Sequence, residues 1–420
     1  MSVVHTAEEL AIAGGTPVRE EPWPVYPQYG REVHAAIERV ARSNCYHPQF
    51  GNETQAFEQA LADWHGVRHA VAVGHGTQAL QAALSAAGIG CGDEVIVPAY
   101  TYVASAAAAL EQNAIPVFVD SEPRSQGLDP VDVRRKITDR TRAIVVVHCN
   151  GYPCDMDGVM SIARQHDLIV VEDCSHAHGA LHRGRKVGTI GHLGAFSIQQ
   201  KKNLSAGTGG VTITNDDAMA ARMRDHRTFH WCSVGHNWQI SEFSSAIAAA
   251  LLPGLDAMNG KRRENVRVLL EAMGDVNGIT PLPGLPETTP VYYNLILQYN
   301  EAAWGVPRRA FVEALKAEGI PIHMFYVPLQ RWPIFAEQAY HGRGCPFTCH
   351  AGQAEAIDYS QVSTPVADAI CDRVNLEIKV QPTSGETEMR QIAAAIRKLA
   401  ANRQVLQRQA ALDDQRKDCG

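Results

Sequence analysis

The run Val71-Ala72-Val73-Gly74-His75-Gly76-Thr77-Gln78-Ala79-Leu80 ends an apolar strand, turns on two glycines and opens a helix at the Gly-Thr pair. The same alternation recurs along the chain. Short apolar runs at 69–73, 94–98, 116–119, 143–147, 168–172, 193–198 and 210–214 read as strands. Helical spacing occupies 77–87, 104–112 and 158–166 between them. Continuous Val/Ile runs alternating with helices predict an α/β fold, a mostly parallel central sheet with helices on both faces. Ligands on such sheets bind at the carboxyl ends of the strands, in loops that lead into helices, and the chemistry is expected there.

Working outward, 32–43 and 54–64 carry apolar residues at helical spacing, and Glu21-Pro22-Trp23-Pro24-Val25-Tyr26-Pro27 reads as an extended arm over a surface. Beyond an Ala-rich helix at 242–252 and a Lys/Arg-rich stretch at 261–267 the texture changes. Strands at 291–298 and 320–326 and helices at 308–318 and 386–399 predict a smaller C-terminal α+β unit. The expected division is an arm over 1–30, a large unit over 31–255, a small unit over 256–401 and a polar tail over 402–420, the tail being a solvated helix extension or frayed.

Composition excludes several classes. The 420 residues are 45% apolar, too many for a disordered chain, and 38 Lys+Arg against 45 Asp+Glu give a net charge of −7. No basic stripe is present for nucleic acid, and no run approaches the ~18 apolar residues of a membrane helix. The N-terminus has acids where a signal peptide carries Lys or Arg, so a soluble cytoplasmic protein is expected. The ten cysteines are scattered without a CxxC pair and read as reduced packing residues. The tightest group, His341, Cys345, Cys349 and His350, matches no standard zinc spacing and reads as a loop with incidental thiols, so no metal is expected.

Three elements carry the chemistry. The helix start at Gly76-Thr77 offers free N–H groups and a hydroxyl to an anion such as a phosphate, although Gly and Thr also cap helices with no ligand. The strand Leu168-Ile169-Val170-Val171 ends in Glu172-Asp173, of which only one can share the inner face. A carboxylate there serves a structural ion pair or a protonated ring nitrogen. After the strand Ala195-Phe196-Ser197-Ile198, Lys201 and Lys202 precede the turn Gly207-Thr208-Gly209-Gly210. A lysine placed in the interior loses charge, and its freed lone pair can form a Schiff base. A phosphate cradle, a strand-end aspartate and a buried lysine, in that order, are what pyridoxal phosphate requires.

On these pieces the chain resembles the DegT/DnrJ/EryC1 sugar aminotransferase family, fold-type I pyridoxal-phosphate enzymes, over roughly residues 20 to 400. The matching motifs are GHGTQAL at 74–80, GDEVIVPAYTYVAS at 92–105, NAIPVFVD at 113–120, VVEDCSHAHGA at 170–180, GAFSIQQKKNLSAGTGG at 194–210 and GHNWQISEFSSAI at 235–247. The resemblance implies that Lys202 is the Schiff-base lysine and that Asp173 partners the pyridine nitrogen. It further implies that Gly76, Thr77 and Ser197 bind the phosphate, that Tyr102 stacks on the ring and that His176 approaches it. Asn237 corresponds to an asparagine that reaches the phosphate of the neighbouring subunit, which implies a homodimer with a shared site. His75 and Thr208 depart from the family pattern near the phosphate.

Some relatives carry His in place of the lysine and dehydrate, so Lys202 points to transamination. The segments before the lysine and at 22–30 look most like enzymes that aminate scyllo-inosose-type cyclitols and aminoglycoside precursors with L-glutamine or another amino acid. A nucleotide-linked keto-sugar acceptor, or an aminohydroxybenzoate-synthase-like dehydration, is the alternative. Arg227, Arg331 and His323 are candidates for anionic parts of a substrate, and Trp238 and Trp332 for its pocket.

Overall fold

A seven-stranded sheet carries the architecture of the computed structural model, which describes residues 9–229, 234–324, 326–338, 340, 346–347 and 357–418. Its order is His69–Val73, Gly210–Thr214, Leu193–Ser197, Ile169–Asp173, Thr141–Val147, Glu94–Pro98 and Ile115–Val119. Six strands share one direction and Gly210–Thr214 runs against them. This is the mostly parallel sheet that the Val/Ile runs predict. Alternation along each strand divides the core. Val95, Val97, Val145 and Val171 face Leu80, Ala83, Ala106 and Ala220, whereas Ile96, Ile144, Val146 and Val170 face Met156, Val159 and Ile162. Both faces are therefore apolar, as a sheet covered on two sides requires.

A second sheet, antiparallel, has the order Ile279–Pro281, Leu295–Tyr299, Asn375–Ile378 and Ile322–His323. Helices Leu255–Met273, Arg308–Ala317 and Glu386–Ala401 share its core. The strands expected at 291–298 and 320–326 are shorter than read: ladder pairing begins only at Leu295 in the first and is confined to Ile322–His323 in the second. Several elements escaped the sequence reading, among them the helices Pro130–Lys136 and Asp217–Arg227 and the strand Ile279–Pro281; two of them bear on the site. Asn and Glu inside Asn375–Ile378 argue against a strand, and the Lys/Arg run within Leu255–Met273 hides a helix whose Arg262 is buried. The helix expected from 158 begins at Met156, since the Asp155 carboxylate caps it by accepting from the Gly158 N–H at 3.0 Å.

From Ala11 to Trp23 the N-terminal arm docks on the small unit, and beyond it Tyr26 reaches the loop of the large unit. The N–H groups of Ala11 and Val18 donate to the Glu318 carboxylate, and Trp23 Nε1 donates to the Gly319 carbonyl at 2.7 Å. At the other end of the chain Arg403–Asp418 is helical, which matches the helix-extension alternative for the tail, but it buries Leu406 and Ala410 and so is not wholly solvated. Trp304 anchors that corner, fully buried between Phe311 (centroids 4.8 Å apart) and the Arg403 guanidinium 4.3 Å from its ring. Gly278, at φ +85°, leaves the space its ring fills; a Cβ there would stand 2.7 Å from Trp304 Cδ1. Trp304→Ala is expected to cost about 3–5 kcal/mol, read as a lower urea midpoint at unchanged slope. A loss below ~1 kcal/mol means the corner does not hold the small unit together.

Candidate active site

Strand register brings the sequence elements to one edge of the large sheet. Val73, Gly210 and Ser197 stand side by side there, and Asp173 pairs with Ala195, two residues before Ser197. The helix Gly76–Ala86 starts at this edge, so its first N–H groups have no partner within the helix. A Cβ on Gly76 would lie 2.5 Å from Ser197 Cβ and 2.9 Å from its Oγ. Only glycine lets the helix start abut Ser197, and the pair forms a cradle of N–H and hydroxyl donors that suits a phosphate. Thr77, half-buried, follows in the same turn. At the rim the two unusual residues pair with each other: Thr208 Oγ1 and His75 Nδ1 are 3.0 Å apart.

The two strand-end acids part company by strand alternation. Glu172 turns into the fold, where it accepts from His148 Nε2 at 3.1 Å and from the N–H groups of Gly188, Ile190 and Gly191. Burial pushes its carboxyl upward, but the His148 and backbone hydrogen bonds outweigh that and hold it below the ordinary range. His148, Glu172 and Cys174 lie close enough together to suggest a metal site. The donors are spent, however: His148 Nδ1 accepts from the Cys154 N–H, Glu172 is saturated, and burial keeps the Cys174 thiol protonated. The cluster is structural. The zinc question raised by His341, Cys345, Cys349 and His350 lies outside the described residues.

Asp173 faces the cleft. Its Oδ2 accepts from Ser105 Oγ at 2.9 Å and its Oδ1 from the Ser175 N–H at 3.1 Å. A carboxylate has about four acceptor positions, so capacity remains for a ring N–H. Next to it the paired lysines diverge: Lys201 is exposed and the Lys202 amine is buried. Burial lowers the Lys202 amine to about 8, against the opposing pull of the Asp173 charge. Its backbone is clamped as well, because Tyr26 of the arm directs its hydroxyl at the carbonyls of Lys202 and Asn203 and is itself held by Arg262 Nη2 at 2.9 Å. His176 is buried with its ring stacked on Tyr293 at 4.0 Å and 6°. Burial and the neighbouring lysines keep its imidazole neutral.

Several residues at the site were not singled out by the sequence. Tyr293 lies beneath two amines, Lys202 Nζ at 4.9 Å and Lys379 Nζ at 3.4 Å from its ring centroid. Glu377, on the small sheet, accepts from Asn294 Nδ2 at 3.2 Å and from the Tyr100 hydroxyl at 3.4 Å; Asn150 Nδ2 in turn donates to Tyr100 at 2.9 Å. The signal available was Glu377-Ile378-Lys379, two charges alternating within an apolar run. Other candidates stand apart. Tyr102 and Asn237 are exposed in the single chain, the latter beside Trp238, whose carbonyl accepts from the Gly74 N–H at 2.7 Å. Trp238 stacks on His236, and Trp332 Nε1 donates to the Val327 carbonyl. Arg227 is paired with Glu58, and Arg331 with Asp368 and Asp372. His323 pairs in register with Glu377.

A glycine-lined donor cradle, an anchored carboxylate and a buried amine of lowered basicity suit pyridoxal phosphate, with Gly76, Thr77 and Ser197 able to take its phosphate, Asp173 its ring nitrogen and Lys202 its aldehyde. Comparison with known proteins agrees. The chain is 37% identical over 416 residues to an L-glutamine:2-deoxy-scyllo-inosose aminotransferase of Streptoalloteichus tenebrarius, covering 93% of this chain and 97% of that one. Among solved structures it resembles S. venezuelae DesV, described in complex with a ketimine intermediate (TM-score 0.77, 34% identity, 88% and 94% of the two chains). It also resembles 3-amino-5-hydroxybenzoic acid synthase (TM-score 0.81, 28% identity, 92% and 100%). The model of the DegT/DnrJ/EryC1/StrS aminotransferase family matches residues 27–374, and with that span and that likeness the chain belongs to this family and is a pyridoxal-phosphate-dependent aminotransferase.

Proposed function

We propose that this enzyme moves an amino group from an amino acid, L-glutamine or glutamate, to the keto group of a scyllo-inosose-like cyclitol or aminoglycoside precursor in antibiotic biosynthesis. One observation carries the reading: the end-to-end similarity to an L-glutamine:2-deoxy-scyllo-inosose aminotransferase. The engagement of Arg227 and Arg331 in internal ion pairs supports it, since a nucleotide-linked sugar brings a diphosphate that needs free cations.

Pyridoxal phosphate, when bound, supplies an aldehyde that takes up the amino group and a ring that draws electrons from the donor's α-carbon. In this reading Lys202 would hold that aldehyde, and its amine would move a proton at the donor's α-carbon. Its amine, lowered to about 8, has a free-base fraction near neutral pH that an amine in water lacks. Asp173 keeps a proton on the ring nitrogen, held in place by Ser105. Gly76, Thr77 and Ser197 bind the phosphate, His176 approaches the ring and Tyr102 stacks on it. Asn237 completes the phosphate site of a second copy, so the working enzyme is a homodimer in the cytoplasm. The exposure of Tyr102, Asn237 and the large apolar side chains Phe50, Phe229 and Val234 on one chain supports such pairing.

The test is spectroscopic. Mixing the loaded enzyme with L-glutamine is expected to bleach the cofactor's visible absorption, and 2-deoxy-scyllo-inosose to restore it. Bleaching by no amino acid would retire the reading. Restoration by a nucleotide-linked keto-sugar and not by the ketocyclitol would transfer it to the other acceptor class.

A further inference from the structure

We infer that Lys379 is the seat of the amino donor's carboxylate, a binding site supplied by the small sheet to the cleft that holds Lys202. The inference rests on the transaminase reading above and extends it to the donor's recognition.

Lys379 follows the strand Asn375–Ile378 and sends its side chain into the cleft, where its Nζ lies over the Tyr293 ring and makes one long hydrogen bond, 3.4 Å, to the Tyr293 carbonyl. Among the described residues no carboxylate stands within ion-pair distance of it. Lys379 is half-buried; an ammonium withdrawn from water without a counter-ion is costly, and an anionic ligand would supply the missing charge. Glu377, two residues earlier on the same face, does not fill that role. Its oxygens accept from Tyr100 and Asn294, and burial pushes its carboxyl up to about 7.

Of the charged groups that bear on Lys379, Lys202, Lys201 and Arg262 are cations, and Glu377 alone pulls the other way. Burial and these cations bring the Lys379 amine down to about 7, which an arriving carboxylate would reverse.

Position then selects which anion. Lys379 and Lys202 present their amines to one tyrosine ring. In an α-amino acid the carboxylate carbon is two bonds from the nitrogen, and that nitrogen takes the place of Lys202 Nζ at the aldehyde. A cation on the same ring as Lys202 is therefore within reach of the donor's carboxylate. The phosphate cradle at Gly76 and Ser197 belongs to the large sheet's edge, whereas Lys379 comes from the small sheet. The keto-cyclitol has no carboxylate, so this contact distinguishes the two substrates that use one cleft in turn.

Titration calorimetry on the loaded enzyme tests this through binding alone. The probes are glutaramate, which is glutamine without its amine and cannot react, glutaramide, which replaces the carboxylate by an amide, and scyllo-inositol. Wild type is expected to bind glutaramate about 10- to 100-fold more tightly than glutaramide, Lys379→Met to lose that preference and Lys379→Arg to keep part of it. Scyllo-inositol affinity should change less than about threefold.

An unchanged glutaramate preference in Lys379→Met overturns the proposal, as does equal weakening of all three probes. Loss of cofactor affinity in Lys379→Met with the preference retained overturns it too, by assigning Lys379 to the cofactor. Should the variants fold poorly, the unaltered enzyme still decides: glutaramate and not glutaramide should shield Lys379 from an amine-acylating reagent, read by mass spectrometry, and equal shielding refutes the site. Bleaching of wild type by L-glutamine, measured alongside, separates failure of this site from failure of the transaminase reading.

Discussion

Lys202→Ala is expected to abolish turnover, by at least about 10³-fold, and to remove the visible absorption of the bound cofactor, whereas Lys201→Ala keeps both. The contrast follows from one turn of chain. Lys201 is exposed and its N–H donates to Gln199 Oε1 at 2.8 Å, while Lys202 is half-buried, with its amine over Tyr293 and its carbonyl held by Tyr26. Capture of an aldehyde requires an unprotonated amine, and an ammonium in water gives up its proton only near ~10.4. Burial lowers Lys202 to about 8. The neutral form is the reactive one and is favoured above that value, so uptake of cofactor by cofactor-free protein should accelerate as pH rises through about 8 and then level off. A rate still climbing toward pH 10, or a band lost with Lys201 instead of Lys202, reverses the assignment.

What could be read in advance was local in the chain. The cradle at Gly76-Thr77 is legible because strand, turn and helix follow one another within ten residues, and Val/Ile runs mark both faces of the sheet as covered. The reversed direction of Gly210–Thr214 is not legible, since a strand's side-chain period is the same whichever way it runs. Glu172 and Asp173 could be told apart only once the register fixed which face each occupies; one is spent on backbone N–H groups inside the fold, the other looks into the cleft. Lys379, Glu377 and Tyr293 escaped for a different reason. They come from the small sheet and the segment entering it, far along the chain from Lys202, and only tertiary packing brings them to one ring. Their signal was polar residues at alternate positions of an apolar run, which propensity reads as evidence against a strand.

Asp173→Asn is expected to lower the rate of the half-reaction with L-glutamine by about 10² to 10³-fold while leaving the fold and cofactor capture in place. The exchange keeps the shape, and an amide oxygen can still accept from Ser105 or from the Ser175 N–H. What it removes is a negative charge, and with it the means of holding a proton on the ring nitrogen while electrons move toward the ring. The same charge raises the Lys202 amine against the effect of burial. Removing it should therefore carry the pH at which cofactor capture levels off below about 8, a shift in the direction opposite to that caused by exposing the lysine to water. Ser105→Ala, which takes one hydrogen bond from the carboxylate and leaves its charge, should cost far less rate, about tenfold at most. The two readouts must move together if Asp173 acts by charge: a slow half-reaction with an unshifted capture profile means that the carboxylate serves only to shape the loop, and a half-reaction at the wild-type rate in Asp173→Asn means that the ring nitrogen has another partner.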